Sequence, residues 1–342
     1  MNIALAALAF SFAAASAWAA DPATALHRAG RLSVVKEVAV VPVDPDDAAW
    51  AATPSIALVA YPQSAVPPGL AGEGAAPLAV ELKALAGGGR IAIQLSWPDR
   101  TIDNGRPDDT DSFADAAALQ FAVPARDGRL PYIGMGEPKK PVEIWFWRNG
   151  KGSEKLTARG FGTLDKRQGP PPETVARREG GSWRVIFAGP LPVRTGPLPV
   201  AIALWNGADQ GRAGRKSLTA WHLLRVAGLP EEPATLAALA GEAAIAGKPE
   251  RGKALAANNG CEACHQLPGG EPTDAGPDLS LTGGLHWPGY LRRSIREPSG
   301  FVVPLPHYAE ESKPAFRTSL MPRLDLNARD IEDIAAYLHS LR

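Results

Sequence analysis

Residues 261–265 read Cys261-Glu262-Ala263-Cys264-His265, and this stretch decides the fold expected for the C-terminal part of the chain. Two thiols spaced C-x-x-C on a short helical turn can each add to one vinyl group of a haem, and the histidine that follows then lies under the iron. A redox dithiol or half of a zinc site would also use C-x-x-C, but the adjacent His and the lack of a second Cys pair disfavour both. The stretch therefore predicts a covalent c-type haem on Cys261 and Cys264, with His265 as iron ligand.

A haem that only carries electrons needs a second axial ligand, and Met321 is the candidate. It lies 321 − 265 = 56 residues after His265, just before the predicted last helix. A soft thioether favours ferrous iron and raises the potential. A core position is the usual role of Met, but the chain has only three methionines including Met1. His286 and His307 are rival ligands, although both lie in Pro/Gly settings where an exposed loop histidine is the default.

Residues from about 247 to 342 resemble a class I cytochrome c domain. That family has an N-terminal helix, C-x-x-C-H, a Gly-Pro-x-Leu segment, a Met-Pro loop and a C-terminal helix. This chain has Gly276-Pro277-Asp278-Leu279 and then Met321-Pro322 in that order. The resemblance implies that the carbonyl of Pro277 accepts the Nδ1–H of His265 and so fixes the ring.

The helices expected in this part are 250–258, 287–296 and 328–341. The last is amphipathic, because Ile331, Ile334, Ala335 and Leu338 follow helical spacing. Asn327 is a plausible N-cap for it.

Residues from about 30 to 227 have the pattern of an all-β domain. Short β-prone runs recur between Gly/Pro-rich breaks, and Arg90–Trp97 alternates apolar and polar residues as a half-buried strand does. Eight such strands favour an antiparallel sandwich. The expected strands are 56–61, 78–82, 90–97, 117–123, 142–147, 183–187, 200–205 and 218–226.

The fold class predicted for the whole chain is an antiparallel β-sandwich followed by an all-α cytochrome c domain. The expected boundaries are a signal peptide at 1–19, the sandwich at 20–228, a linker at 229–247 and the cytochrome c domain at 248–342. The linker is Ala/Glu-rich and could also be helical.

The N-terminus predicts export. Ile3–Ala17 is an apolar run that ends in Ala17-Trp18-Ala19, a triplet with small residues where signal peptidase needs them. The run departs from the usual signal sequence in having no Lys or Arg before it, but it is too short to span a membrane comfortably. We therefore expect a cleaved signal peptide, a periplasmic location and no membrane span. Exported proteins often use cysteines in disulfides, but both cysteines belong to the haem motif.

The charge balance excludes one class of partner. Lys+Arg and Asp+Glu both number 36, so the formal net charge is zero. Nucleic-acid binders usually have a strong basic excess, and we expect no nucleic-acid partner.

Three blocks of the β-rich part resemble a known family. They are Asp111–Phe121, Pro131–Gly136 with Val142–Trp147, and Gly214–Trp221. Together they resemble the haem-b-binding gamma subunit of the ethylbenzene dehydrogenase, dimethylsulfide dehydrogenase, selenate and chlorate reductase group, to which domains of periplasmic nitrite oxidoreductases are similar. The resemblance covers roughly residues 35–227.

That resemblance implies a non-covalent b-type haem held between Met and Lys. Met135 falls on the Met position, and Lys216 is the match for the Lys. A neutral amine binds iron well, and burial lowers the cost of losing its proton. Lys139 and Lys140 lie too close to Met135 to reach across a haem. His222 is the main rival, since related sandwich cytochromes use Met/His and it would share a strand face with Lys216 in a regular strand.

Two haems with both axial positions filled leave no iron site for substrate, so we expect no catalysis by this chain. The resemblance implies an electron-transfer subunit of a molybdenum oxidoreductase. It would exchange electrons with the iron–sulfur subunit, which is bound to the molybdenum catalytic subunit, and with a soluble cytochrome or other redox carrier. Two alternatives stay open: a cytochrome c fused to a ligand- or carbohydrate-binding sandwich, and a haem enzyme such as a peroxidase, which needs an open iron position.

Overall fold

The computed structural model describes residues 21–63, 76–106, 109–273, 275–303 and 318–342. The predicted signal peptide at 1–19 and His307 lie outside the described residues. The described chain forms a mostly antiparallel β-sandwich followed by helices, which confirms the predicted fold class. No helix in these described ranges combines the length and the apolar character that a membrane crossing requires.

The strands run in chain order from the N-terminal region to Arg225. Their bounds are β1 (Leu32–Val34), β2 (Lys36–Glu37), β3 (Ile56–Pro62), β4 (Leu78–Gly87), β5 (Arg90–Pro98), β6 (Ala116–Phe121), β7 (Val142–Arg148), β8 (Gly152–Ala158), β9 (Asp165–Lys166), β10 (Glu173–Glu179), β11 (Ser182–Pro190), β12 (Leu198–Trp205), β13 (Ser217–Leu218) and β14 (His222–Arg225).

Two sheets share strand β3. The first sheet has the order β10-β11-β5-β4-β3, with β2 beside β4. The second has the order β13-β12-β6-β7-β8-β9, with β14 beside β12 and β1 beside β14. Residues 56–60 of β3 pair with β4, and Tyr61 and Pro62 pair with β13, so one strand passes from sheet to sheet.

The main core lies between the two sheets, and both outer faces are covered as well. In β5, Ile91, Ile93 and Leu95 point into the core between the sheets, as the alternation predicts. Ala92 points outward but is also fully buried, because Trp50 and its neighbours pack over that face. The half-buried character predicted for this strand is therefore wrong, and the reason is a covering segment that strand periodicity does not reveal.

The helices are α1 (Pro22–Arg28), α2 (Ala48–Ala51), α3 (Pro233–Ala243), α4 (Pro249–Asn258), α5 (Thr282–Leu285), α6 (Pro288–Arg296) and α7 (Ala328–Ser340). Helices α4 and α7 cross at Gly252, where a Cβ atom would lie 1.9 Å from the carbonyl oxygen of Asp333. The Asp333 carboxylate accepts from the backbone N–H of Lys248 at 2.7 Å and pairs with Arg251 and Arg329. Asn327 caps α7 by accepting from the Asp330 N–H at 3.0 Å.

The segment expected to be a linker contains α3. Leu239 of this helix is fully buried, and α3 packs against α1 and α6. Its apolar residues join the cluster that covers the outer face of the second sheet. The connection between the two parts of the chain is therefore a packed element.

Candidate functional site

The predicted haem-attachment turn directly follows α4. Gly260 ends the helix with a left-handed φ of 69°, which glycine adopts readily, and Cys261–Ala263 form a single 3-10 turn. The backbone N–H groups of Cys264 and His265 both donate to the Cys261 carbonyl, at 3.3 and 3.0 Å. Both thiols and the imidazole thus leave one short turn, and burial raises the pKa of the Cys261 thiol.

The His265 ring has a fixed backbone partner. Its Nδ1 lies 2.9 Å from the carbonyl oxygen of Pro277. With the proton on Nδ1 the ring donates to that carbonyl, and Nε2 keeps the lone pair that a metal needs. Gly276 allows this approach, because a Cβ there would lie 2.8 Å from Cε1 of His265 and from the Cys264 carbonyl oxygen.

Met321 lies before α7 in a half-buried position, and its N–H donates to the Ser319 hydroxyl at 3.1 Å. Within the described residues it is not part of the apolar cluster that contains Cys261. Ligation of iron by Met321 stays a prediction.

The outer face of the second sheet is apolar, and small side chains lie at its centre. Ala118 of β6 pairs directly with Ala203 of β12. Phe146 and Trp205 lie beside these alanines, with their ring centroids 5.5 Å apart and their ring planes at 83° to each other. Met135 packs against the same cluster. This face therefore combines small side chains, aromatic rings and a thioether.

Met135 sits on a loop that is tied to this face. The Gln120 amide donates to the Ile133 carbonyl at 3.0 Å, and the Trp221 indole donates to the Pro131 carbonyl at 2.9 Å. Met135 itself has a φ of 72°, a left-handed conformation that costs a non-glycine residue on the order of 1 kcal/mol. A strained, well-anchored residue of this kind points to a functional role.

Lys216 lies on the same side of the sheet. It is only 8% exposed, and its Nζ lies 5.1 Å from the centroid of the Trp205 ring. None of the ion pairs among the described residues includes Lys216, and desolvation alone lowers its pKa to about 8. A buried amine that readily loses its proton can act as a neutral metal ligand.

The structure separates His222 from Lys216. The predicted strand 218–226 is in fact two strands, β13 and β14, with an irregular step between them. Leu223 joins the outer cluster and Leu224 the inner core, so alternation turns His222 to the inner side. Its Nε2 lies 3.0 Å from the Ser33 hydroxyl. The expectation that the two side chains share a face is wrong, because it assumed a regular strand.

Helices α5 and α6 dock the helical region onto this outer face. The Trp287 indole donates to the Trp221 carbonyl at 2.9 Å, and a Cβ on Gly284 would lie 2.5 Å from the Tyr61 ring. His286 stacks on Tyr132 instead of lying exposed in a loop, which corrects the default interpretation of this residue. The sequence carried no signal for these contacts, apart from the clustering of aromatic residues in both regions.

Comparison with known proteins assigns both parts of the chain. The family described as Ethylbenzene dehydrogenase matches residues 47–169, and the family described as Cytochrome c matches residues 249–342. The chain is 30% identical over 195 residues to dimethylsulfide dehydrogenase subunit gamma of Rhodovulum sulfidophilum, covering 51% of this chain and 71% of that subunit. The chain belongs to the family of ethylbenzene dehydrogenase-type gamma subunits.

Two further gamma-subunit relatives match the chain. Chlorate reductase subunit gamma of Ideonella dechloratans is 34% identical over 42% of this chain and 63% of its own length, so the chain spans less than two thirds of that relative. A putative respiratory nitrate reductase heme subunit of Haloferax mediterranei is 31% identical over 53% of this chain and 67% of its own length.

Among solved structures, a carbohydrate binding module family 9 from Caldicellulosiruptor kristjanssonii in complex with cellotriose has a TM-score of 0.37 at 10% identity, covering 57% of this chain and 93% of that one. A similarity at this level supports no conclusion about a ligand.

The described residues fit the covalent haem of a cytochrome c domain, and they also offer donor atoms for a second haem. The cytochrome c domain indicates a covalent haem, and the Cys261–His265 turn with its Pro277 partner has the donor set for one. On the sandwich, the buried amine of Lys216 and the thioether of Met135 are a suitable neutral pair for a second haem iron.

Buried histidines should make the stability of this gamma subunit depend on pH. Burial lowers the pKa of His286 to about 3, and those of His222 and His339 to about 4, with desolvation as the largest cause for each. Arg31 and Arg342, both close to His339, lower its pKa further. Since these values lie below the ordinary 6.5, stability should be complete above pH 6.5 and decline as the pH falls toward 4 and 3.

At about pH 5, each of these histidines should lower the free energy of unfolding by about 2 kcal/mol relative to its value above pH 6.5. Urea unfolding at several pH values measures the loss. His339→Gln should flatten the pH dependence, whereas His27→Gln, at an exposed position of α1, should leave it unchanged. Equal stability of the unmodified protein at about pH 5 and pH 7 would contradict this explanation.

Proposed function

We propose that this chain is a periplasmic dihaem electron-transfer subunit, with one covalent haem c and one non-covalent haem b. The observation that carries the proposal is Lys216, a buried amine with no carboxylate partner among the described residues, beside Trp205 on the sandwich face that also holds Met135. Such an amine would be costly to bury as a cation. Binding to iron would remove that cost.

A haem held in this way supplies a one-electron iron couple. The chain's own residues would do the rest: Cys261 and Cys264 would fix one haem covalently, and His265, oriented by Pro277, would bind its iron together with Met321. Met135 and Lys216 would hold the iron of the other haem. Two protein ligands for each iron would leave substrate no access to the metal, which suits transfer of electrons and not catalysis.

The relatives' names support a place in a respiratory complex. They include gamma or heme subunits of a chlorate reductase, a nitrate reductase and a dimethylsulfide dehydrogenase. We infer that this chain exchanges electrons with the iron–sulfur subunit of a molybdenum oxidoreductase through the sandwich. The cytochrome c domain would exchange them with a soluble carrier.

Acid–acetone extraction followed by pyridine haemochrome spectra tests the proposal. The purified protein should release one haem and retain one. Lys216→Ala and Met135→Ala should each lose most of the extractable haem and keep the covalent one, because each removes one axial ligand. Lys139→Ala, at an exposed position in the same loop region as Met135, is the matched control and should keep both.

An unmodified protein that contains only covalent haem would overturn the dihaem proposal and would favour the binding-module alternative. Rapid peroxide turnover with high-spin iron at neutral pH would instead favour a haem enzyme.

A further inference from the structure

Three stacked rings connect the sandwich to the cytochrome c domain. The His286 ring stacks on both tyrosines, with its centroid 5.8 Å from that of Tyr132 and 4.3 Å from that of Tyr290, and the two tyrosine centroids are themselves 5.8 Å apart, so the three rings of the stack form a compact triangle. The ring planes differ by 25° and 21°, respectively, so both pairs are stacked. Tyr132 lies in the loop that holds Met135, and Tyr290 lies in α6 of the cytochrome c domain.

Tyr290 contacts the apolar surroundings of both proposed haem sites. It packs against the cluster on the outer face of the second sheet, where Met135 also packs. It also packs against the helical cluster that contains Cys261. No other described residue belongs to both clusters. Tyr290 therefore joins the apolar cluster around Met135 to the apolar cluster around Cys261.

Hydrogen bonds hold the Tyr132 and His286 segments of the stack in place. The N–H of Gly136, next to Met135, donates to the Tyr132 carbonyl at 3.0 Å. The His286 carbonyl oxygen lies 3.1 Å from Nδ1 of His339 in α7. On the next residue, the Trp287 indole donates to the sandwich backbone. Tyr132 and His286 are therefore tied to packed elements, and Tyr290 is held by its place in α6.

We propose that the Tyr132–His286–Tyr290 stack is the contact through which electrons pass between the two haem sites within one chain. This inference rests on the proposed dihaem function. One electron leaves the reduced iron of one site and reduces the ferric iron of the other, and no bond forms or breaks. The packed rings provide the medium through which the electron tunnels between the two sites, and they are not themselves oxidised.

The environment of the tyrosines favours this passive role. Oxidation of a tyrosine releases its phenolic proton, and burial raises the pKa of Tyr290 to about 12. Burial also raises the pKa of Tyr132 well above its ordinary value. Neither phenol gives up a proton readily at neutral pH, so what matters is the packing of the rings.

Pulse radiolysis of the protein loaded with both haems tests the proposal. It injects one electron and follows its redistribution between the absorption bands of haem b and haem c. Tyr290→Ala leaves a cavity in the stack, and we expect the redistribution rate to fall about tenfold or more. Tyr290→Phe keeps the ring and should retain the rate within about twofold. Tyr337→Leu removes a ring from the helical cluster alone and should also retain the rate.

The outcomes separate this inference from the proposed function. A protein without extractable haem would refute the dihaem function before the rate is measured. A Tyr290→Ala protein with both haems, an unchanged small-angle scattering profile and an unchanged rate would refute the role of the stack. A Tyr290→Phe protein as slow as Tyr290→Ala would also overturn it, because the hydroxyl would then be essential. If Tyr290→Ala fails to fold, Tyr132→Leu removes the other end of the stack and should slow the rate similarly.

Discussion

Gly252→Ala is expected to prevent α4 and α7 from packing in the cytochrome c domain. The added Cβ would lie 1.9 Å from the Asp333 carbonyl oxygen and 2.5 Å from its carbonyl carbon, and these backbone atoms cannot rotate away. Overpacking of this kind costs about 1–3 kcal/mol or more. The Asp333 contacts with Lys248 and Arg251 would be strained at the same time.

We expect the variant to contain little covalent haem and to melt at a markedly lower temperature, as measured by haemochrome spectra and far-UV circular dichroism. Gly241→Ala is the matched control. It lies in α3 with no atom within 4 Å of an added Cβ, and alanine favours a helix by about 1 kcal/mol over glycine. Normal haem content and melting temperature in Gly252→Ala would show that the two helices do not cross at this residue.

Asp115→Ala is expected to destabilise the sandwich and release the non-covalent haem. The Asp115 carboxylate is completely buried and accepts from the N–H groups of Asp103 at 2.8 Å and Gly207 at 2.9 Å, and from the Trp183 indole at 3.2 Å. Each buried donor left without an acceptor costs about 1–3 kcal/mol. Gly207 begins the loop that leads to Lys216, so loss of this contact also loosens the proposed ligand.

In urea unfolding, the free energy of unfolding of Asp115→Ala should be lower than that of the unmodified protein by about 3 kcal/mol or more. The extractable haem should decrease even in the folded variant. Asp115→Asn keeps one acceptor oxygen but turns an NH₂ group toward the donors, and should be intermediate. Asp111→Ala, at an exposed position in the same segment, should change neither quantity. The explanation fails if Asp115→Ala unfolds like the unmodified protein.

The strongest local patterns were the ones that could be predicted. C-x-x-C-H needs only sequence spacing, because its three donor residues lie on one short turn, and the resemblance to class I cytochromes c added the Pro277 partner of His265. Strand β5 shows its alternation directly, and β7 and β12 are visible as short runs rich in apolar and aromatic residues. By contrast, β8 and β10 read GSEKLTA and ETVARRE, with charged residues on both sides, and such polar strands have no apolar period to detect.

Contacts between distant segments could not be predicted. Tyr132 and His286 are 286 − 132 = 154 residues apart, and nothing in either local pattern brings their rings together. The position of His222 was missed for a related reason, since three irregular residues between β13 and β14 invert the face of the strand. Spacing within one element is local, but the covering of a sheet face depends on the whole chain.

The docked helices have a consequence for shortened versions of this protein. A chain that stopped before α4 would lose the cover over Tyr132 and Trp221, both of which are almost inaccessible in the full chain. Apolar surface uncovered in this way favours self-association. The sandwich expressed alone should therefore aggregate. Polar substitutions on that face would be needed to keep it monodisperse, because a more stable interior would leave the apolar face exposed.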